Sequence, residues 1–350
     1  MVVIHSAAKP FWLFALILPL LLVGRVAEAG QSTIAPKGAV ANTASASSNP
    51  ASPASPQRPL QVVASFSILG DWVAQVGGDY VAVKTLIGAN QDAHAFQPRP
   101  RDVQMIAAAD LVVLNGLGFE GWSERLIHSA NYQGAVVVAS RGIQPLTPVD
   151  GAHHHHHHGA DHDGDKHGEG DGDDPHAWHD PANAAIYVAN IRDALIARDP
   201  ANGDAYRARA ADYLQQLAAT TAWAKGQFAR LPANQRRAIT NHDAFQYLAR
   251  AFDLRFESLA GWSTESQPSA RNIARVIQQM RQQQVRALFL ENISDPRMVQ
   301  QLAKEGGGTL GGKLYSDALD APGTAAATYL GMMRSNVDTL IRGLTAQNGG

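Results

Sequence analysis

From Leu60 onward, short runs rich in Val, Ile and Leu alternate with helical patterns. No other feature restricts the fold as much. In the first half LQVVASF, YVAVKTLI, LVVLNG and AVVVAS read as strands, with helices over 68–76, 102–109 and 122–130. Runs this apolar suit strands covered on both faces, as in a mainly parallel sheet flanked by helices. A second alternating half follows. RRAITN, LRFESLA and VRALFLE read as strands, with helices over 244–251, 269–284 and 296–305. Leu314-Tyr315 reads as a short strand, 325–344 as a closing helix, and the glycines at 306–308 and 311–312 as a flexible turn.

Between the halves lie helical stretches at 182–198 and 202–231. Asp180-Pro181 and Asp199-Pro200 introduce them, with proline at the first turn. About thirty residues of helix reach about 45 Å, enough to run the length of two lobes. The expected fold class is therefore α/β: two lobes, each a mainly parallel sheet flanked by helices, joined by one long backbone helix. A length of 350 residues fits more than one core. The expected boundaries are 59–201 for the N-terminal lobe, 202–231 for the interlobe helix and 232–346 for the C-terminal lobe. A ligand site belongs in the cleft, near the strand ends.

Residues 1–29 read as a signal peptide. Lys9 is its basic element, 11–23 its apolar core, and Ala27-Glu28-Ala29 its cleavage site. Thirteen apolar residues are short for a permanent span. Residues 30–58, mostly Ala, Ser and Pro, bury too little to offset their ordering entropy and read as a disordered tether. No cysteine follows the apolar core, so the expectation is a periplasmic protein without a lipid anchor.

The chain has no cysteine at all, which removes disulfides, thiolate metal sites and cysteine nucleophiles together. It has 14 histidines, ten of them between His153 and His179. Crowded imidazoles without sulfur point to metal handling through nitrogen and oxygen. The net charge of −2 argues against a nucleic-acid partner. That charge conceals an uneven distribution. The segment 150–174 holds His153, His154, His155, His156, His157, His158, His162 and His167, with eight carboxylates against Lys166, or −7. It reads as a solvated loop of accessory metal sites that raises local metal concentration beside the cleft.

Four further residues sit in loops between the elements: His94, His176, His242 and Asp317. Two belong to each half. Three neutral imidazoles and a carboxylate suit tetrahedral Zn(II). They also suit Mn(II) or Fe(II), although manganese favours more oxygen. Their spacing alone marks no known site. Asp180 and Asp243 are candidates to orient imidazoles from behind, with a helix N-cap as the competing role for Asp180. His179 reads as an exposed bystander and His128 as a helix-surface residue, while His5 falls within the signal peptide.

From about residue 60 to 344 the chain resembles the cluster A-I solute-binding proteins, the metal-binding subunits of bacterial zinc and manganese ABC importers. The resemblance is carried by VVASFSILGDW, DAHAFQPRPRDVQMIAAADLVVLNG, DPHAWHDP, TNHDAFQYLARAFDL and LYSDALDAPGTAAATYLGMMRSNVDTLIRGL. It implies a ligand set of His94, His176, His242 and Asp317, with Glu291 close to the cleft. It also implies a monomer that captures an ion and passes it to a membrane permease driven by a cytoplasmic ATPase. Many manganese members carry Glu at the third ligand position, so His242 favours zinc. Ala93 and His179 depart from the common pattern of Pro and Leu. A manganese or iron importer subunit is the alternative. A zinc hydrolase is a weaker one, since four protein ligands leave little room for a catalytic water and no hydrolase motif is present. A metallochaperone or adhesin-like protein of the same fold is a third.

Overall fold

The apolar runs form two four-stranded parallel sheets. The structure, a computed structural model, describes residues 58–147, 172–265 and 268–346. The expected signal peptide, most of the tether and the accessory histidines lie outside these residues. The first sheet contains β1 (Leu60–Phe66), β2 (Val81–Ile87), β3 (Leu111–Leu114) and β4 (Ala135–Val138), ordered β2-β1-β3-β4. Helices α1 (Ser67–Gly77), α2 (Pro100–Ala107) and α3 (Ser123–Ser129) connect them. The second sheet contains β5 (Arg237–Thr240), β6 (Arg255–Ser258), β7 (Ala287–Glu291) and β8 (Thr309–Leu314), ordered β6-β5-β7-β8. Its helices are α6 (Gln246–Phe252), α7 (Ala270–Gln283) and α8 (Arg297–Gly306). Every strand pair is parallel, so the strand C-termini of each sheet share one edge. That edge is where loops can gather side chains into a site.

Between the sheets run α4 (Pro181–Arg198) and α5 (Gly203–Phe228), and the chain closes with α9 (Tyr329–Ala346). The buried residues of α5 are Tyr206, Ala210, Tyr213, Leu217, Thr220, Ala224 and Phe228, a stripe at steps of three and four. With that stripe it packs on α1, α4, α6 and α9. Polar contacts fix it along its length. Trp72 Nε1 donates to Tyr213 Oη (3.0 Å), and the Arg334 guanidinium of α9 lies over the Trp223 ring. One helix thus serves both sheets, which limits how far they can move apart.

The second glycine group departs from the expected turn. Gly311 and Gly312 lie inside β8, and the strand is longer than Leu314-Tyr315. The reason is packing. The Gly311 and Gly343 backbones face each other, and a Cβ on Gly343 would meet Gly311 Cα at 2.7 Å and the Phe289 ring at 2.7 Å. Only glycine lets α9 approach β8 this closely. A register shift at Leu288/Phe289 accommodates the crowding. The closing helix begins at Tyr329 rather than 325, because the residues before it are spent on turns such as Thr324 N–H to Ala321 O (3.2 Å). Gly343→Val should lower stability by about 1–3 kcal/mol through overpacking, read as a lower midpoint in thermal denaturation. An unchanged midpoint would show that the contact can relax.

Candidate metal centre

His242 lies two residues past β5 and Asp317 three past β8, while Glu291 is the last residue of β7. His94 follows β2 within the loop that leads to α2. His176 precedes a 3-10 turn at Ala177–His179 that opens into α4. Two α/β units with their strand ends turned to a common cleft therefore deliver three imidazoles and a carboxylate to one point. His94 Nε2 lies 3.3 Å from Asp317 Oδ2, His242 Nε2 3.2 Å from the same oxygen, and His176 Nε2 3.6 Å from Oδ1. One donor atom from each of the four falls within 4.8 Å of every other.

The cluster is buried. The His176, His242 and Asp317 side chains are at most 1% exposed and that of His94 is 7% exposed. Neither Asp317 oxygen has a hydrogen-bond partner, nor does His242 Nε2. Buried polar atoms are almost always partnered, so unsatisfied atoms converging on one point suit a cation. Burial would raise the Asp317 carboxyl, but the neighbouring His242 and His176 imidazoles hold it well below the usual range. Burial pushes the His176 imidazole well below its ordinary value. Burial acts the same way on His242, but Glu291 and Asp317 overcome it and hold that imidazole well above.

A second set of groups holds the rings from behind. His176 Nδ1 lies 2.8 Å from Asp174 Oδ1, which also accepts the His176 backbone N–H (3.0 Å). His242 Nδ1 lies 2.5 Å from Glu291 Oε2, and Glu291 Oε1 accepts the His242 N–H (2.9 Å). A carboxylate on Nδ1 keeps the proton there and aims the Nε2 lone pair inward. The Asp317 loop is pinned by Asn336, which brackets the Tyr315 backbone (2.8 Å on both sides), and by Asn292 on Ser316 and Ala318. Trp178 Nε1 donates to Ser316 O (3.0 Å) and joins the His176 and Asp317 loops directly. Phe66, Phe119 and Trp178 form an aromatic wall against the His94 and His176 rings.

Several sequence expectations need correction. Asp174, counted with the solvated acidic loop, is buried and pushed up to about 7 by burial. Its only signal was its place two residues before His176. His179 is not an exposed bystander. It is fully buried against Trp178 and Phe245, and burial lowers it to about 3. Asp180 caps α4 through the Ala182 N–H (2.9 Å) and pairs with Arg250 (3.2 Å) rather than with an imidazole. Asp243 accepts from Gln246 Nε2 (2.6 Å) and so serves the start of α6. Glu120 stands in no motif that marks it in the sequence. It is buried and accepts from Ser65 Oγ and from the Asn115 and Gly116 amides, bracing the end of β3.

Fold and centre together define a two-lobed metal-binding protein. Residues 62–343 match the family described as ZnuA, zinc-uptake complex component A, periplasmic, and the chain belongs to that family. The manganese-binding lipoprotein MntA of Halalkalibacterium halodurans is 32% identical over 82% of this chain and 89% of its own. The iron-binding protein YfeA of Yersinia pestis is 30% identical over 82% and 86%. Among solved structures, the periplasmic zinc binding protein TroA from Treponema pallidum is 28% identical, with a TM-score of 0.73 over 82% of this chain and 99% of that one. The protein is thus the metal-binding component of an ABC importer and not an enzyme, which disposes of the hydrolase alternative. The expectation of a protein without a lipid anchor is overturned. MntA of H. halodurans and MntA of Bacillus subtilis are both named lipoproteins. That expectation rested on the absence of a cysteine after the apolar core.

Removing the charge behind His242 should release its hold on a proton. In Glu291→Gln the His242 pKa should fall, since a nearby carboxylate favours the charged imidazole. Titration of the metal-free protein by NMR reads this directly. An unmoved His242 would mean that Asp317 alone sets its charge.

Proposed function

We propose that the protein captures a single Zn(II) through His94, His176, His242 and Asp317, acting as a monomer, and passes it to a membrane permease. The observation that supports this most is the convergence of three buried Nε2 atoms on a carboxylate without hydrogen-bond partners. Three nitrogens and one oxygen suit tetrahedral zinc, whereas manganese prefers a more oxygen-rich set. The family description names zinc and TroA is titled zinc binding, while MntA is named for manganese and YfeA for iron. The nitrogen-rich donor set favours zinc among these.

Metal-free protein should take up one tightly held zinc in a chelator-competition titration, with manganese binding more weakly. His242→Ala should weaken zinc binding by more than about 100-fold. Manganese outcompeting zinc, or an unaffected His242→Ala protein, would overturn the assignment. The pH sense follows from His242, whose pKa is held well above the ordinary value. That shift favours the protonated imidazole in metal-free protein, and an arriving ion must displace the proton it holds. Each proton displaced costs about tenfold in affinity per unit of falling pH below the imidazole pKa. Proton release on zinc addition in weak buffer checks the stoichiometry.

The His- and Asp-rich segment 150–171 adds a collecting role, supported by its eight histidines and its six carboxylates against one lysine, a charge of −5. Deleting 150–171, outside the described residues, should lower total zinc stoichiometry and uptake under zinc starvation while leaving affinity at the cleft unchanged. Wild-type uptake in the deletion would remove the collector role.

A further inference from the structure

His176, His242 and Asp317 are buried and His94 is only partly covered, so an ion needs a route to the three inner donors. A cavity of about 540 Å³ borders the centre, lined in part by Asp92, Asn241, His242, Thr264, Ser294 and Asp295. His242 is the one member of the four on its wall. Asp92 and Thr264 face each other there from opposite lobes, in the loop after β2 and the loop after β6.

The Asp92 carboxylate does two things at once. Oδ1 accepts the His94 backbone N–H (2.9 Å), and Oδ2 accepts the Thr264 hydroxyl (2.5 Å). Two residues earlier, Asn90 adopts the left-handed conformation (φ 54°) and ties the same loop to the second lobe. Its N–H donates to Leu319 O (2.9 Å), its amide donates to Asp320 (2.8 Å), and its oxygen accepts from Asn292 (2.9 Å). The His94 loop is therefore strapped across the cleft on two sides. The Asn90 side holds by three hydrogen bonds to the neighbourhood of Asp317. The Asp92 side crosses to the second lobe through the Thr264 hydroxyl, beside the cavity.

We propose that this cavity is the passage by which the ion enters and leaves, and that the Asp92–Thr264 hydrogen bond is the tie that sets the release rate. Asp92 acts as a positioning residue for His94, not as a ligand. The inference rests on the metal centre proposed above. While the tie is made, His94 stays over the site and the passage is narrowed. When it breaks, the stronger Asn90 strap remains, so the loop can pivot without the lobes separating.

The test is chelator-triggered release of zinc from the full-length protein, followed by stopped flow. Thr264→Val removes the donor and keeps the shape. Release should quicken by about tenfold to a hundredfold, the usual weight of one hydrogen bond to a charged group. Thr264→Ser, which retains the hydroxyl, should release at the wild-type rate. Adding Thr264→Val to Asp92→Ala should quicken release no further than Asp92→Ala alone, because the two act through one contact. Release from Thr264→Val at the wild-type rate, or from Thr264→Ser as fast as from Thr264→Val, overturns the tie. Wild-type protein that takes up no zinc overturns the centre itself, a result distinct from both.

Discussion

The Asp317 carboxylate is the constraint around which this protein is arranged. It is fully buried and neither oxygen has a hydrogen-bond partner. A carboxylate so placed costs several kcal/mol unless positive charge compensates it. Three Nε2 atoms lie within 3.6 Å of it, His242 among them held toward its charged form, and their convergence ties four separate loops to one point. The loop that carries Asp317 is correspondingly overdetermined. Asn336, Asn292 and Trp178 grip the backbone on both sides, and Ser67 Oγ accepts the Leu319 N–H (2.9 Å). These contacts come from both lobes, so the position of a single acid depends on the whole two-lobed assembly.

The rings are held with comparable economy. Asp174 and Glu291 each bind one imidazole at Nδ1 and the backbone N–H of the same residue. Each carboxylate therefore fixes both the ring and the chain that bears it, leaving Nε2 free to face the centre. His94 has a different support. Asp92 holds its backbone, and the Phe119 ring lies edge-on to it at 4.9 Å between centroids. His94 thus lacks a carboxylate on its ring, and its loop is held across the cleft through Asp92 and Asn90.

Much of this was legible in the sequence because period and loop position carry it. Eight strands follow from apolar runs and the long helix from the stretch that Asp199-Pro200 introduces, whereas the four convergent residues stand in loops whose spacing marks no site and were set apart only by the resemblance to a known family. What escaped was whatever depends on contact between distant segments. Asp174 is chemically no different from the acids that precede it, and only its hydrogen bonds to His176 distinguish it. His179 looks like a polar loop residue, yet the 3-10 turn at Ala177–His179 rotates it inward onto Phe245. Gly311 and Gly312 resemble turn glycines until α9 is placed against β8. Asp180 and Asp243 fail in the opposite sense. They sit beside ligand-type residues in sequence but serve helix starts and a neighbouring arginine.

One fold serves relatives named for manganese, iron and zinc, so the fold does not choose the ion. The choice has to reside in how many donors the loops can present and how freely they adjust. Manganese needs additional oxygen donors, zinc is satisfied by four ligands, and the difference is one of coordination number as much as donor type. Here the loops that would have to yield an extra oxygen are held. The Asp317 backbone is gripped on both sides, Glu291 and Asp174 are committed to imidazoles, and Asp92 is divided between an amide and a hydroxyl. Asp174, Glu291 and Asp92 each already hold an imidazole or the backbone of one, so drawing further oxygens from them would disturb contacts that position the nitrogens. The same contacts that aim the imidazoles therefore also bear on which further donors the loops can present.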